Sequence, residues 1–313
     1  MLSPVQAFQP LKNLKRLTLN DFGKEPFRVF FPAGVLAGIV GVALWPLYFW
    51  GVTEFYPGQT HARIMTGGLF GGFIFGFLGT AMPRMLSANP FRLIEVIPLV
   101  TLHLAMVFSL AAGKIFWGDV LFTTLLIGFF ICVAVRATKR KDTPPPGFVL
   151  VGVAFLCVTV GTILSLIQNY REIDLFWISL QRLLSYQGFV LFPILGIGPF
   201  ILPRLFGMPN QHDFPEMLIP TKDWRKKALL ALTTAVVILI SFCMEAKGWL
   251  RLACAIRFAA ILIYLVLEMP FHRALKVGSA LGICIRIAFI GLLAGFLQAP
   301  LPWSSYSSFQ SLP

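Results

Sequence analysis

Four histidines are the residues of this chain best suited to hold a metal ion or move a proton: His61, His103, His212 and His272. Met65 follows His61 at the i, i+4 spacing that puts two side chains on one helix face. An imidazole beside a thioether suits haem iron or copper. His103 interrupts the apolar run VTLHLAMV, and an ionisable group deep in such a run marks a ligand or proton site unless its ring is tied to a carbonyl. His61 and His103 are therefore the metal-ligand candidates, and the only histidine pair expected to share a neighbourhood. His212 falls in a loop and His272 at the opposite end of its helix from His61. The five cysteines, Cys132, Cys157, Cys243, Cys254 and Cys284, sit singly in apolar stretches without a C-x-x-C spacing. They read as packing residues, not as a disulfide framework or thiolate site. No nucleotide loop, hydrolase elbow or pair of catalytic carboxylates is visible, and four scattered histidines do not build a binuclear oxygen-reducing centre. The residues themselves therefore point to binding and not to an enzyme.

The elements that position these residues are membrane helices. Hydrophobic residues make up 57% of the chain and charged ones 12%, with 31 phenylalanines and a mean hydropathy of +0.80. A soluble domain carries about twice that charge fraction. The apolar stretches are continuous, not alternating, and in lipid that selects helices over a barrel. The expected fold class is all-α, a polytopic transmembrane bundle in contact with the lipid bilayer. It has about nine helices, near 29–50, 62–83, 94–113, 115–135, 147–168, 183–203, 228–245, 249–269 and 279–298. The net charge of +13 comes from basic residues in alternate loops, which excludes a nucleic-acid-binding role. With the N-terminus placed in the cytoplasm, eighteen of the 26 Lys/Arg fall in cytoplasmic segments and six in outer loops. This bias predicts a multi-pass protein of a bacterial cytoplasmic (inner) membrane with its N-terminus inside. The first 28 residues are polar and basic, so no cleavable signal peptide is expected.

An internal repeat is also legible. At an offset of 120 residues Gly68 meets Gly188, Gly76 meets Gly196, Pro83 meets Pro203 and Arg84 meets Arg204. Both copies run in the same direction, which defines a parallel four-helix repeat. The expected organisation is a cytoplasmic segment 1–28, a bundle 29–298 with repeat units near 62–168 and 183–298, and an outer tail 299–313. A third copy would begin near residue 301, close to where the sequence ends. Gly67, Gly68, Gly71, Gly72, Gly76 and Gly79 give the second helix a smooth face, fit for another helix or for a flat cofactor such as haem.

Several segments resemble the NnrS family, membrane proteins associated with haem, copper and nitric oxide stress. FRVFFPAGVLAGIVG from Phe27 is similar to that family's first helix. HARIMTGGLFGGFIFGFLGTAMPRM from His61 resembles its second, matching at His61, Ala62, Met65, Thr80, Ala81 and Pro83. GIGPFILPRLF from Gly196 resembles a later stretch. Arg63 and Ile64 stand where the family motif carries a second His and a Glu, and Arg286 near a further His, so the His motif is degenerate. Family members carry about twelve helices, which implies a C-terminally truncated chain here. The resemblance implies a haem-binding membrane protein, with copper as a second metal, that senses or protects against nitric oxide. His61 would be the ligand, Met65 and His103 secondary candidates, and Arg63, Arg84 and Arg286 the cations facing haem propionates. Two other readings stay open: a transporter or channel on parallel repeats, and a non-catalytic structural subunit assembled with a membrane-protein partner or with itself.

Overall fold

The computed structural model describes residues 18–205, 219–268 and 280–298. His212, His272, most of the loop 204–227 and the tail 299–313 lie outside the described residues. Among the described residues the protein is helical throughout, and eight helices are long and apolar enough to cross a membrane. They are α1 (Phe27–Phe49), α2 (Gly58–Met85), α3 (Leu93–Ala111), α4 (Ile115–Thr138), α5 (Phe148–Gln168), α6 (Leu175–Leu202), α7 (Lys222–Ala246) and α8 (Leu250–Glu268). A further helix, α9 (Ala280–Gln298), has an apolar part, Arg286–Gly295, shorter than a span. Large apolar side chains such as Ile39, Phe130, Val236 and Ile263 point outward, as the surface of a lipid-embedded bundle requires. This is a multi-pass membrane protein.

Most helix ends lie within a few residues of those expected from hydropathy. The exceptions are the starts of α6, at Leu175 instead of 183, and of α7, at Lys222 instead of 228. Gln181 and Arg182 interrupt the apolar run in the sequence, but the helix continues through them and buries Gln181 against its neighbours. At its other extreme α7 starts at Lys222, capped by Thr221, whose hydroxyl accepts from Trp224 N–H at 3.2 Å. The helices alternate in direction, so one face of the bundle gathers the start of α1, the α2–α3 and α4–α5 loops and the start of α7. Lys24, Arg28, Arg84, Arg92, Lys139, Arg140, Lys141, Lys222 and Arg225 collect there, and we call it the basic face. Its corner is fixed by Glu25, which accepts from Arg28 Nε at 2.6 Å and Arg84 Nη2 at 2.7 Å. The Arg28 bond holds the Glu25 carboxyl below the usual carboxylate range.

The glycines of α2 are used by a helix. A Cβ on Gly72 would stand 2.7 Å from Gly34 Cα and 2.9 Å from the Phe30 carbonyl, so α1 and α2 touch backbone to backbone. The smooth face is thereby filled by α1 and leaves no wall there for a flat cofactor. The same packing recurs 120 residues on. Gly68 abuts Ala37, and Gly188 abuts Cys157; Gly76 abuts Phe27, and Gly196 abuts Gly147; Gly41 abuts Met65, and Gly161 abuts Ser185. These three α1–α2 contacts thus have counterparts in α5–α6, whereas Gly34–Gly72 falls at Ala154 and Phe192. Counted from these contacts the two halves are α1–α4 and α5–α8, one helix earlier than the units near 62–168 and 183–298. Both Gly-rich helices also contain a π-helical segment near the same place, Ile64–Phe70 in α2 and Leu183–Gly188 in α6.

Two hydrophobic cores form, and the first draws on both halves. Phe75 in α2 is ringed by Phe30, Phe122, Phe129, Phe155 and Phe189, with centroids 5.0–6.5 Å away. The second core centres on Phe192, Phe242, Ile261 and Tyr264, all essentially buried. Gly72→Val is expected to lower stability by about 1–3 kcal/mol or more, because the added atoms meet backbone that has no free rotamer. Gly152→Ala, where a Cβ meets nothing within 4 Å, is the matched control. Thermal unfolding in detergent checks this, and equal melting temperatures for the two variants would refute the backbone contact.

Candidate functional site

His61 and Arg63 lie in the last turn of regular helix before the π-helical segment of α2, two residues and so about 200° apart, and their side chains diverge into two adjacent sites. The first surrounds His61, on the face of the bundle opposite the basic one. Its Nδ1 lies 2.8 Å from the carbonyl oxygen of Gly41 in α1. A carbonyl only accepts, so Nδ1 carries a proton, and in the neutral ring the lone pair is on Nε2. The ring is half-buried and stands edge-on to Trp45, centroids 5.8 Å apart. Met65 packs on the same glycine, its Sδ 3.2 Å from where a Gly41 Cβ would be. The structure therefore brings His61 and Met65 together around Gly41. An imidazole whose second nitrogen is oriented by a backbone carbonyl is a common arrangement for a metal-binding histidine.

Arg63 turns the other way. Its Nε donates to Asp119 Oδ1 of α4 at 3.0 Å and its Nη2 to Ser165 Oγ of α5 at 2.8 Å, while Ser165 Oγ donates to Asp119 Oδ2. Their side chains are 13% and 8% exposed, a nearly dry ion pair. Beside it lies a cavity of about 30 Å³, bordered by Thr66, Thr162, Gln181, Ser185 and Tyr186 as well as the ion pair. That volume holds roughly two waters at about 10–15 Å³ each, and the wall supplies enough hydroxyl and amide groups to bind them. The cavity lies where α2 and α4 of the first half meet α5 and α6 of the second.

His103 sits elsewhere. It is wholly buried in α3, edge-on to Phe30 at 5.7 Å and Phe75 at 6.5 Å, and neither ring nitrogen has a hydrogen-bond partner. His61 contacts Gly41 and His103 contacts Phe30, eleven residues apart on α1, which is about 16 Å along the helix. The two histidines do not meet and cannot ligate one ion. Among the described residues no group of three His, Cys, Asp or Glu converges. Arg84 pairs with Glu25 on the basic face, about 34 Å along α2 from His61. It cannot face the same bound group. Arg286 lies in α9, half-buried.

Two polar clusters are not assembled by a reading of the sequence, which marks Arg257 as a deep cation but not its partners. Arg257 of α8 donates to Ser241 Oγ (3.1 Å), Gln187 Oε1 (2.7 Å) and Glu245 of α7, its guanidinium 4.7 Å over the Phe242 ring. Asp119 is the other omission. It is the lone charge between Ile115 and Val135, and that isolation inside a span is the signal that marks it.

The fold and these sites define a polytopic helical membrane protein with two parallel halves and a buried polar junction between them. The chain matches the model of the NnrS protein family over residues 21–309 and belongs to that family. Among proteins of curated function and among solved structures, nothing is similar enough to match it.

Arg63→Leu strands the Asp119 carboxylate in the bilayer interior and is expected to cost about 3–5 kcal/mol. The double variant Arg63→Leu/Asp119→Leu removes both charges and is expected to recover most of that loss. Melting temperatures of the single and double variants check the coupling, and additive losses would show that the two do not act as a pair.

Proposed function

We propose that this NnrS-family protein binds haem through His61 and serves in the response to, or protection from, nitric oxide. The observation that carries the reading is the Nδ1–H bond to the Gly41 carbonyl, which orients His61 and leaves Nε2 as a lone-pair donor. When bound, the haem supplies an iron that takes a diatomic gas as ligand. Met65, beside His61, is a soft donor suited to copper as well as iron, and copper is the second, weaker assignment. Arg63 lies two residues from His61 but is neutralised by Asp119, so its part is to hold the α2–α4–α5 junction beside the ligand. His103 is a candidate for a separate role within the first core. Arg286 remains a candidate cation for a propionate. The setting we propose is a bacterial cytoplasmic membrane, with the N-terminus and the basic face inside.

A second reading rests on a different observation. The Arg63–Asp119–Ser165 cluster and its cavity lie between the two parallel halves, where repeat-built transporters carry their sites. One experiment separates the two. The detergent-purified protein, supplied with haem, is expected to show a Soret band that His61→Ala abolishes or shifts while elution volume and helicity stay unchanged. Asp119→Asn is expected to keep the band. A folded protein that takes up no haem, with no iron or copper by elemental analysis, would refute the redox reading and leave the transporter.

A further inference from the structure

We propose that the basic face carries a binding pocket for the phosphate headgroup of an anionic phospholipid. The pocket has a volume of about 510 Å³ and lies at the ends of α2, α3 and α4, where these spans leave the apolar layer. That is large enough for a headgroup, since ligand pockets run from about 300 to 1,000 Å³.

Its base is Arg136, whose five N–H groups are all used. Nε donates to the Asn89 carbonyl (3.1 Å), Nη1 to the Cys132 carbonyl (2.7 Å) and Glu95 Oε1 (3.2 Å), and Nη2 to the Pro90 carbonyl (3.1 Å) and Glu95 Oε2 (2.7 Å). The guanidinium also stacks 3.8 Å over the Phe91 ring. Arg136 and Glu95 neutralise each other and pin the α2–α3 loop in place. Across the pocket the Lys141 N–H donates to the Leu86 carbonyl at 2.9 Å, which ties the α4–α5 loop to the end of α2. The rim is thus pre-organised before any ligand arrives.

Three cations of that rim remain uncommitted. Arg92, Lys139 and Lys141 are exposed, and none pairs with a carboxylate among the described residues. Three uncompensated cations around one concavity attract a phosphate and repel the choline of a zwitterionic lipid. The lip is apolar: Ile94 is 77% exposed and Val135 49% exposed, both on the lipid-facing side of the pocket. A headgroup seated among the cations would lay its acyl chains along these side chains. Free phosphate has no counterpart for that lip, so the lipid is the occupant that uses both parts of the site.

The test is native mass spectrometry of the full chain extracted from vesicles of phosphatidylglycerol and phosphatidylcholine in equal amounts, beside an Arg92→Gln/Lys139→Gln/Lys141→Gln variant. Each basic residue near a membrane surface contributes about fivefold in affinity for anionic lipid, so the triple variant is expected to bind about a hundredfold more weakly. The wild type should retain phosphatidylglycerol preferentially, and the variant should not. Lys222→Gln/Arg225→Gln/Lys226→Gln removes three charges from the same face outside the pocket, controls for the general surface attraction, and should lower retention less than the pocket variant does. Lys139→Arg/Lys141→Arg should also preserve it and serves as the folding control. Equal retention of the two lipids, or equal loss in both triple variants, would overturn the pocket. So would thermal stabilisation by inorganic phosphate equal to that by phosphatidylglycerol, since the lipid tail would then contribute nothing.

Discussion

Close contact between helix backbones is the constraint on which this structure rests. Lipid tails compete with side chains for apolar contact, so burying leucine against leucine gives little reason for two helices to pair. What distinguishes a helix neighbour from lipid is fit. Here α1 and α2 approach until Gly34 and Gly72 meet, a distance no side chain permits. The contact fixes the angle and register of α2, and with them the place of every group α2 carries. His61 reaches the Gly41 carbonyl because the same face of α1 continues past the crossing. The equivalent contacts at Gly147–Gly196 and Gly161–Ser185 do the same for α5 and α6. The parallel repeat is thus a repeat of packing as much as of sequence.

Against this tight frame the charged side chains are organised in pairs. A lone ion in the bilayer interior costs several kcal/mol, and a partner with good geometry offsets much of it. Arg63 with Asp119, Arg257 with Glu245 and Arg136 with Glu95 each follow that rule, and each arginine gains hydrogen bonds to hydroxyl, amide or carbonyl oxygens besides. Arg136 differs because all of its donors are spent on the α2–α3 loop, Glu95 and its own helix, while its neighbours Arg92, Lys139 and Lys141 face outward. His61 and His103 show the same logic in a neutral group. One ring has a carbonyl partner and a free nitrogen; the other is enclosed by phenylalanines with neither nitrogen engaged.

The π-helical segments link these two themes. Each widens its helix by one residue where the two halves come together. His61 and Arg63 both precede the segment in α2, and two residues of regular helix, about 200° of rotation, direct one to α1 and the other to α4 and α5. A ligand position and a buried ion pair thereby sit side by side without sharing partners. Periodicity at 3.6 residues foresees that divergence but not the π-helical segment, which leaves no mark in an apolar run.

From the sequence alone came the membrane class, the helical spans to within a few residues, the 120-residue offset and the family resemblance. Each depends on local composition or on residues compared along the chain, and long apolar runs in lipid have only one way to satisfy their backbone. His61 and His103 were also visible as rare histidines, Met65 by its spacing from His61, and Arg63 by its place in the family motif. Their partners were not. Arg63 meets residues 56 and 102 positions away, and Arg136 meets Glu95 across 41. The start of α6 at Leu175 was hidden for the same reason, since Gln181 is tolerated only because a neighbouring helix covers it. Which glycine faces a helix, which histidine finds a carbonyl and which arginine stays free are settled by the packing of α1 to α8, because hydrogen bonds and charge pairs depend on distance in space and not on spacing along the chain.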